Sequence, residues 1–425
     1  METRSTNFSE LAGDCSLPQM YAVHQLGSQQ FVSKPAEILR EQLSNLNISG
    51  KVRPGQTVAV AVASRGTHDL RVLVETTIDY LLSLGVKPFI IPAMGSHGGG
   101  TAEGQAQVLK ELGVLQKHPE ISIVSSMDVV VLGTVDLDNG KGPEIWFSCD
   151  ALKADHVVVI NRVKPHTVFR SDVESGLCKM LAVGCGKLKG AAAMHQYDLA
   201  RTIVPAARLI MGKVSLLFGV SVTETALGQT HTIRAVLPED FINADREQLK
   251  IAKKLLPVLP IKKLDLLVVD EMGKNISGPG MDTNVIGFWR RDGGEKIPAY
   301  RYLAVLDLTD ESLGNGTGIG MADFTTLQVY NKIDWESTYL NSLTAGTPRN
   351  GCCPILAESD QKLIVMVLSM LPEAHVPRIA RIKNTQNLHT FFVSEPLVKE
   401  LQASSALEIA EEPECWNFDA SGRLL

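Results

Sequence analysis

TVAVAVASRGTHDLRVLVETTIDYLLSLGVKPFIIPAMGSHGGGT (57–101) sets the architecture of this chain. Two apolar runs of strand length, 57–64 and 87–94, flank a helix-like stretch, 70–85, for which Asp69 can serve as N-cap. A second helix over 102–113 follows Thr101, a residue suited to cap it. Strand–helix–strand–helix order predicts right-handed βαβ units and a parallel sheet. The two polar loops, RGTHD (65–69) and GSHGGG (95–100), each follow a strand. In an open α/β sheet they therefore lie at the carboxyl edge, where ligands bind. Further strands are expected at VVVLGTVDL (129–137), HVVVINRV (156–163) and SLLFGVSVTET (215–225), the second delivering His166 to the same edge.

Residues 239–256 read as a helix that opens a linker, and a second α/β alternation begins at LDLLVVDEMG (264–273). It continues through RYLAVLDLT (301–309), the apolar run LIVMVLSML (363–371) and TFFVSE (390–395), with helices near 321–331 and 396–404. The fold class expected is α/β, with two α/β domains, a mainly parallel sheet in the N-terminal one, and an active-site cleft between them. Residues 1–30 form an arm, 31–255 the first domain and 256–425 the second.

With 44% hydrophobic and 21% charged residues, the composition is that of a soluble globular protein. The 41 basic and 47 acidic side chains give −6 without blocks of one sign, and no basic stripe with interleaved aromatics suggests nucleic acid. No apolar run is long enough to span a bilayer, and the first residues lack the apolar core of a signal peptide. Seven scattered cysteines, an odd number, argue for a reducing compartment, so the cytoplasm is expected.

PHTVFRSDVESGLCKMLAVGCGKLKGAAAMH (165–195) gathers His166, His195, Cys178, Cys185, Lys179, Lys187 and Lys189 among glycines. One uninterrupted helix could not bring His166, Lys179 and His195 together, and Gly184, Gly186 and Gly190 would weaken it. Such a loop-rich collection suggests a site. A lone histidine at a strand end, His97 or His166, is ordinarily a structural polar terminus. Two of them at one sheet edge could instead face a substrate from opposite sides, as a racemase or epimerase requires. Cys178 and Cys185 fit small buried hydrophobes better than metal ligands. Cys352 and Cys353 are assigned to the core, and Lys187 and Lys189 to solvent. No HExxH, CxxC or His-x-His spacing supports an all-protein zinc site.

Taken in order, Arg65-Gly66-Thr67-His68, Gly95-Ser96-His97, Pro165-His166, Lys179 and His195 resemble the lactate racemase family, nickel-pincer-nucleotide-dependent 2-hydroxyacid racemases and epimerases. The sixteen-residue Lys-to-His spacing is the most specific element. The resemblance spans nearly the whole chain, though the arm and the last third carry little of it. It implies that Lys179 holds the cofactor, a pyridinium-3-thioamide-5-thiocarboxylic acid mononucleotide with nickel, and that His195 is the protein ligand to the metal. It makes His97 and His166 the paired acid and base. Arg65, His68 and Arg290 would bind substrate, with Lys274 the alternative basic group. Asp282 and Asn284 fall where the family has a similar pair. Where lactate racemase has Asp-x-x-Arg in the first loop, this chain has Arg65-x-x-His68, which implies a substrate other than lactate, a 2-hydroxy acid with a second polar or anionic group. Cofactor-maturation enzymes are the implied partners, and the oligomeric state stays open. Two other readings use the same residues: a cofactor-free acid–base isomerase or lyase, and a sensor that binds a hydroxy or sugar acid.

Overall fold

The computed structural model describes residues 16–26, 30–64, 67–137, 140–372 and 374–425, without the side chains of 292 and 344. The chain divides into two compact units, Gln29–Leu256 and a second formed by Pro257–Leu425 with the described part of Met1–Ser28. Strand β1 (Met20–Gln25), inside the stretch read from sequence as an arm, belongs to the second unit.

The unit Gln29–Leu256 is built on a five-stranded sheet. Its members are β2 (Thr57–Val62), β3 (Lys87–Pro92), β6 (His156–Arg162), β7 (Leu216–Glu224) and β8 (Thr230–Val236), in the order β3-β2-β6-β7-β8. The first four run parallel, and β8 closes the edge antiparallel to β7. The run at 129–137 is a strand but lies outside this sheet. As β4 (Val129–Leu137) it pairs only with β5 (Gly140–Ser148) in a two-stranded antiparallel ribbon. Strand alternation explains how both faces are covered. In β2, Val58, Val60 and Val62 enter a core with the Leu70–Ser83 helix, while Ala59 and Ala61 enter a second core with Leu177, Cys178, Leu181 and Ala182. The chain leaves β2 for β3 on one side and later lays β6 on the other. The carboxyl ends of β2 and β6 therefore flank a topological switch point.

Thr101 caps its helix, Ala102–Glu111, by accepting from the Gly104 N–H at 3.1 Å. Asp69 precedes the helix Leu70–Ser83 without capping it, because its carboxylate accepts the Thr230 hydroxyl at 2.6 Å.

The second unit carries an eight-stranded sheet. Its strands are β1 with β9 (Lys263–Val269), β10 (Ala299–Val305), β11 (Phe324–Thr326), β12 (Ile355–Ala357), β13 (Ile379–Ile382), β14 (Thr390–Ser394) and β15 (Leu407–Ile409). The order is β12-β11-β10-β9-β13-β14-β1-β15, parallel from β12 to β13 and antiparallel beyond. The run 363–371, expected to be a strand, is mostly helix, Asp360–Ser369. Ser359 caps it, and Leu363, Ile364, Val367 and Leu368 fall on one face at helical spacing. No helix among the described residues is long and apolar enough to cross a membrane.

Candidate functional site

Four loops leave the carboxyl ends of β2, β3, β6 and β7, and each is pinned by a polar side chain. Glu224, at the end of β7, accepts from the His68 N–H at 2.9 Å and pairs with Arg162 at the end of β6. His68 itself is half exposed, 3.2 Å from Asp69. Arg65, expected to bind substrate, lies outside the described residues.

His97 sits in the loop after β3, where Gly95, Gly98, Gly99 and Gly100 all have positive φ. Ser64, just past β2, hydrogen-bonds the His97 Nδ1 atom. His166 occupies the corresponding place after β6. Its Nδ1 accepts from the Val168 N–H at 3.1 Å, which puts the proton of the neutral ring on Nε2. One intervening strand separates β3 from β6, so their ends are roughly 10 Å apart.

The His166 loop turns around Glu174. This fully buried carboxylate accepts from His166 N–H (2.8 Å), Ser171 N–H (3.2 Å) and the Lys253 ammonium (2.7 Å). The His166 ring stacks on Phe169 at 4.3 Å, and the Lys179 ammonium stands 5.9 Å from the same ring centre. His166 and Lys179 are thus brought to one aromatic side chain.

The 177–195 segment is two helical pieces rather than one. Leu177–Lys179 runs into a π-helical turn, Met180–Gly184, and a break at Cys185-Gly186 precedes the helix Lys187–His195. Asp245 holds the start of the first piece, accepting from the Leu177 and Cys178 N–H groups at 3.0 and 2.8 Å. Burial pushes its pKa up to about 7. A side chain at Gly176 would put Cβ 2.1 Å from Asp245 Oδ1, so only glycine fits there. At the far end, His195 Nδ1 donates to Ala191 O at 2.6 Å, leaving the lone pair on Nε2. The His195 pKa is lowered, first by burial and also by the nearby Lys179 ammonium, against the Ala191 bond that raises it. Lys179 and His195, sixteen residues apart, are therefore electrostatic neighbours.

Both cysteines of this segment are buried and their thiols pushed up, Cys185 to about 12. They stay protonated at neutral pH and pack as small apolar groups. Cys352 and Cys353 are exposed rather than core. Lys189 is exposed as expected and lies over Trp146 at 5.4 Å. Lys187, assigned to solvent, is fully buried instead. Its φ of 55° lies in the left-handed region, which costs a non-glycine residue about 1 kcal/mol or more. That backbone turns the side chain inward, where the ammonium donates to Pro92 O (2.6 Å) and Gln105 Oε1 (3.2 Å).

In the other unit, Arg290 is nearly buried and bidentate to Asp323 at 2.8 and 2.6 Å, its guanidinium 4.5 Å from the Trp289 ring centre and 4.7 Å from that of Tyr300. This geometry gives Arg290, expected to bind substrate, an internal carboxylate partner. Lys274 donates to Gly278 O and Asn341 Oδ1, both at 2.7 Å. Asp282 accepts from both the backbone and the side-chain amide of Asn284, capping a short helix, Thr283–Ile286.

Glu174, Glu224, Asp245 and Gln105 escaped sequence reasoning, and Lys187 was assigned to solvent. The available signal was faint: Glu224 is a carboxylate at the carboxyl end of a buried strand, and Glu174 lies eight residues after His166.

No protein-family model matches the chain, and no curated protein matches it. Among solved structures, a Thermotoga maritima protein aligns over 83% of this chain and 97% of its own at 13% identity, with a TM-score of 0.53. The lactate racemase apoprotein from Thermoanaerobacterium thermosaccharolyticum aligns over 88% of this chain and 89% of its own, also at 13% identity, with a TM-score of 0.48. The chain is thus similar in fold to the Thermotoga protein, at an identity that shows the fold alone.

Proposed function

We propose that this chain is a racemase or epimerase of a 2-hydroxy acid, with His97 and His166 as acid and base and a nickel-pincer nucleotide held by Lys179 and His195. The observation that carries the reading is the Lys179–His195 pair beside His166, with the His195 proton fixed on Nδ1 by Ala191 O.

The donor set fits such a group. A neutral imidazole whose Nδ1 is engaged offers Nε2 to a metal. Among the described residues no group of three His, Cys, Asp or Glu side chains could hold a metal ion, so the remaining donors would come from an organic ligand. Lys179 supplies the amine for covalent attachment. When bound, the group supplies a hydride acceptor and donor for the substrate Cα.

The chain's own residues handle the proton. Neutral His166 carries its proton on Nε2 and can direct it as a hydrogen bond at a substrate oxygen. In the tautomer whose Nδ1–H donates to Ser64 Oγ, His97 presents an Nε2 lone pair to the substrate hydroxyl. Glu174 and Ser64 orient the two groups; the histidine acting as acid does so as the imidazolium and is left as the neutral ring, and the reverse reaction exchanges the two histidines' roles.

Nickel analysis and peptide mapping of protein matured in its native host test the reading. About one nickel per chain and an adduct on Lys179 are expected. Active protein with Lys179 unmodified would sink the cofactor assignment. Racemisation in D₂O should leave hydrogen at Cα, and deuterium there would favour the cofactor-free acid–base isomerase.

A further inference from the structure

The glycine-rich loop that carries His97 has little stiffness of its own. Four glycines at positive φ permit the bend but leave many alternatives open. The end of β3 offers one carbonyl, Pro92 O, and the loop two, Gly95 O and His97 O, and all three are met by two side chains. Gln105 Nε2 donates to Gly95 O at 2.8 Å and to His97 O at 3.2 Å. Lys187 Nζ donates to Pro92 O at 2.6 Å and to Gln105 Oε1 at 3.2 Å. Both side chains are fully buried.

The two ends of a carboxamide have nearly the same shape, so its orientation is set by its partners. An ammonium only donates, and it can accept no bond from Nε2. It therefore draws Oε1 to itself and turns both N–H groups of Gln105 toward the loop. With the amide reversed, NH₂ would face NH₃⁺ and an oxygen would face two carbonyls. The strained backbone at Lys187 delivers the charge to this spot. Nothing in a merely structural turn calls for a buried cation there.

We propose that Lys187 and Gln105 form a positioning pair for His97, the ammonium orienting the amide and the amide fixing the loop that carries the imidazole. Both side chains are fully buried, so the pair acts through the loop. The inference rests on the reading of His97 as an acid–base group and adds the device that aims it. The pair's charge is also adjustable, since burial lowers the Lys187 pKa to about 8.

Two variants of the full chain test this. Gln105→Glu keeps a partner for Lys187 but removes both donors to the loop, and Lys187→Met keeps the length but removes the charge. Amide exchange over 93–101 should rise about tenfold in each, with exchange in β7 unchanged. The titration midpoint of the His97 ring, followed by NMR, should move by about half a unit. In matured protein kcat should fall about 10–100-fold with KM within about twofold. Unchanged loop exchange and an unchanged His97 titration in folded Gln105→Glu would overturn the proposal, even if Lys187→Met fails to fold. If both variants loosen the loop and shift His97 while wild type turns over no 2-hydroxy acid, the positioning pair stands and the racemase reading falls.

Discussion

Arg290 and Lys187, a buried cation from each unit, are held in opposite ways. In the unit containing Pro257–Leu425, cations meet carboxylates: Arg290 with Asp323, Arg381 with Asp270, and Lys332 between Asp307 and Asp310. Burial works against the Arg290 charge, yet Asp323 more than offsets it and the pKa is raised. At the sheet edge of Gln29–Leu256, Arg162 and Lys253 also meet carboxylates, Glu224 and Glu174, but Lys187 and the three candidate histidines bond neutral groups. Lys187 is held by a carbonyl and an amide, His195 by a carbonyl, His166 by a backbone N–H and His97 by a serine. A carboxylate partner fixes a charge in place. A neutral one orients the group and leaves its protonation near the working range, which general acid–base chemistry requires.

Removing members of each set is the most direct way to break this contrast. His97→Ala and His166→Ala should each lower racemisation in both directions by roughly 10²–10⁴-fold, and the double variant by much less than the product. Steady-state rates from either enantiomer check this, and a near-normal rate in either single variant would remove that histidine from the chemistry.

Arg290→Ala should act on stability instead, costing about 3 kcal/mol because Asp323 is left without its partner. Urea unfolding measures it, and Asp323→Ala in the same chain should recover part of the loss. A raised KM with unchanged stability would return Arg290 to the substrate-binding role.

The adjustable charge predicts a pH signature. Lys187 has its pKa depressed from 10.5 to about 8. Between those values the unfolded chain keeps a proton that the folded chain has released. Stability should therefore rise with pH across that window, by on the order of 1–3 kcal/mol. Lys187→Met should lack the rise, so parallel profiles for the two proteins would contradict it. The smallest effect belongs to Lys189, two residues on. Exposed above Trp146, it should cost no more than about 0.5–1 kcal/mol on replacement by Ala.

Lys187 and Lys189 also mark where sequence reading stops. GKLKG gives no local reason for one lysine to be buried and the other not, since lysines ordinarily keep their charge in water. The difference comes from a left-handed backbone angle and from acceptors some eighty to ninety-five residues away. Glu174 and Asp245 are hidden for the same reason, the first bonded to Lys253 and the second to backbone N–H groups 67 and 68 residues distant. The parallel strands and the loops that follow them could be read, because βαβ order and apolar runs are local. The 363–371 run could not, as short apolar stretches do not distinguish strand from buried helix.

Strand β1 has a consequence for how this protein is made. It pairs with Thr390–Ser394 and with Leu407–Ile409, so His24 waits 366 residues of synthesis for Thr390. At typical elongation rates that is roughly 20–70 s. During that time all of Gln29–Leu256 has emerged and can close its own sheet, while β1 remains an unpaired apolar segment tethered ahead of it. The nascent chain therefore carries β1 without its partner strands while residues 26–389 are made. A chaperone that engages residues 20–25 would shield the segment that waits longest for its partner.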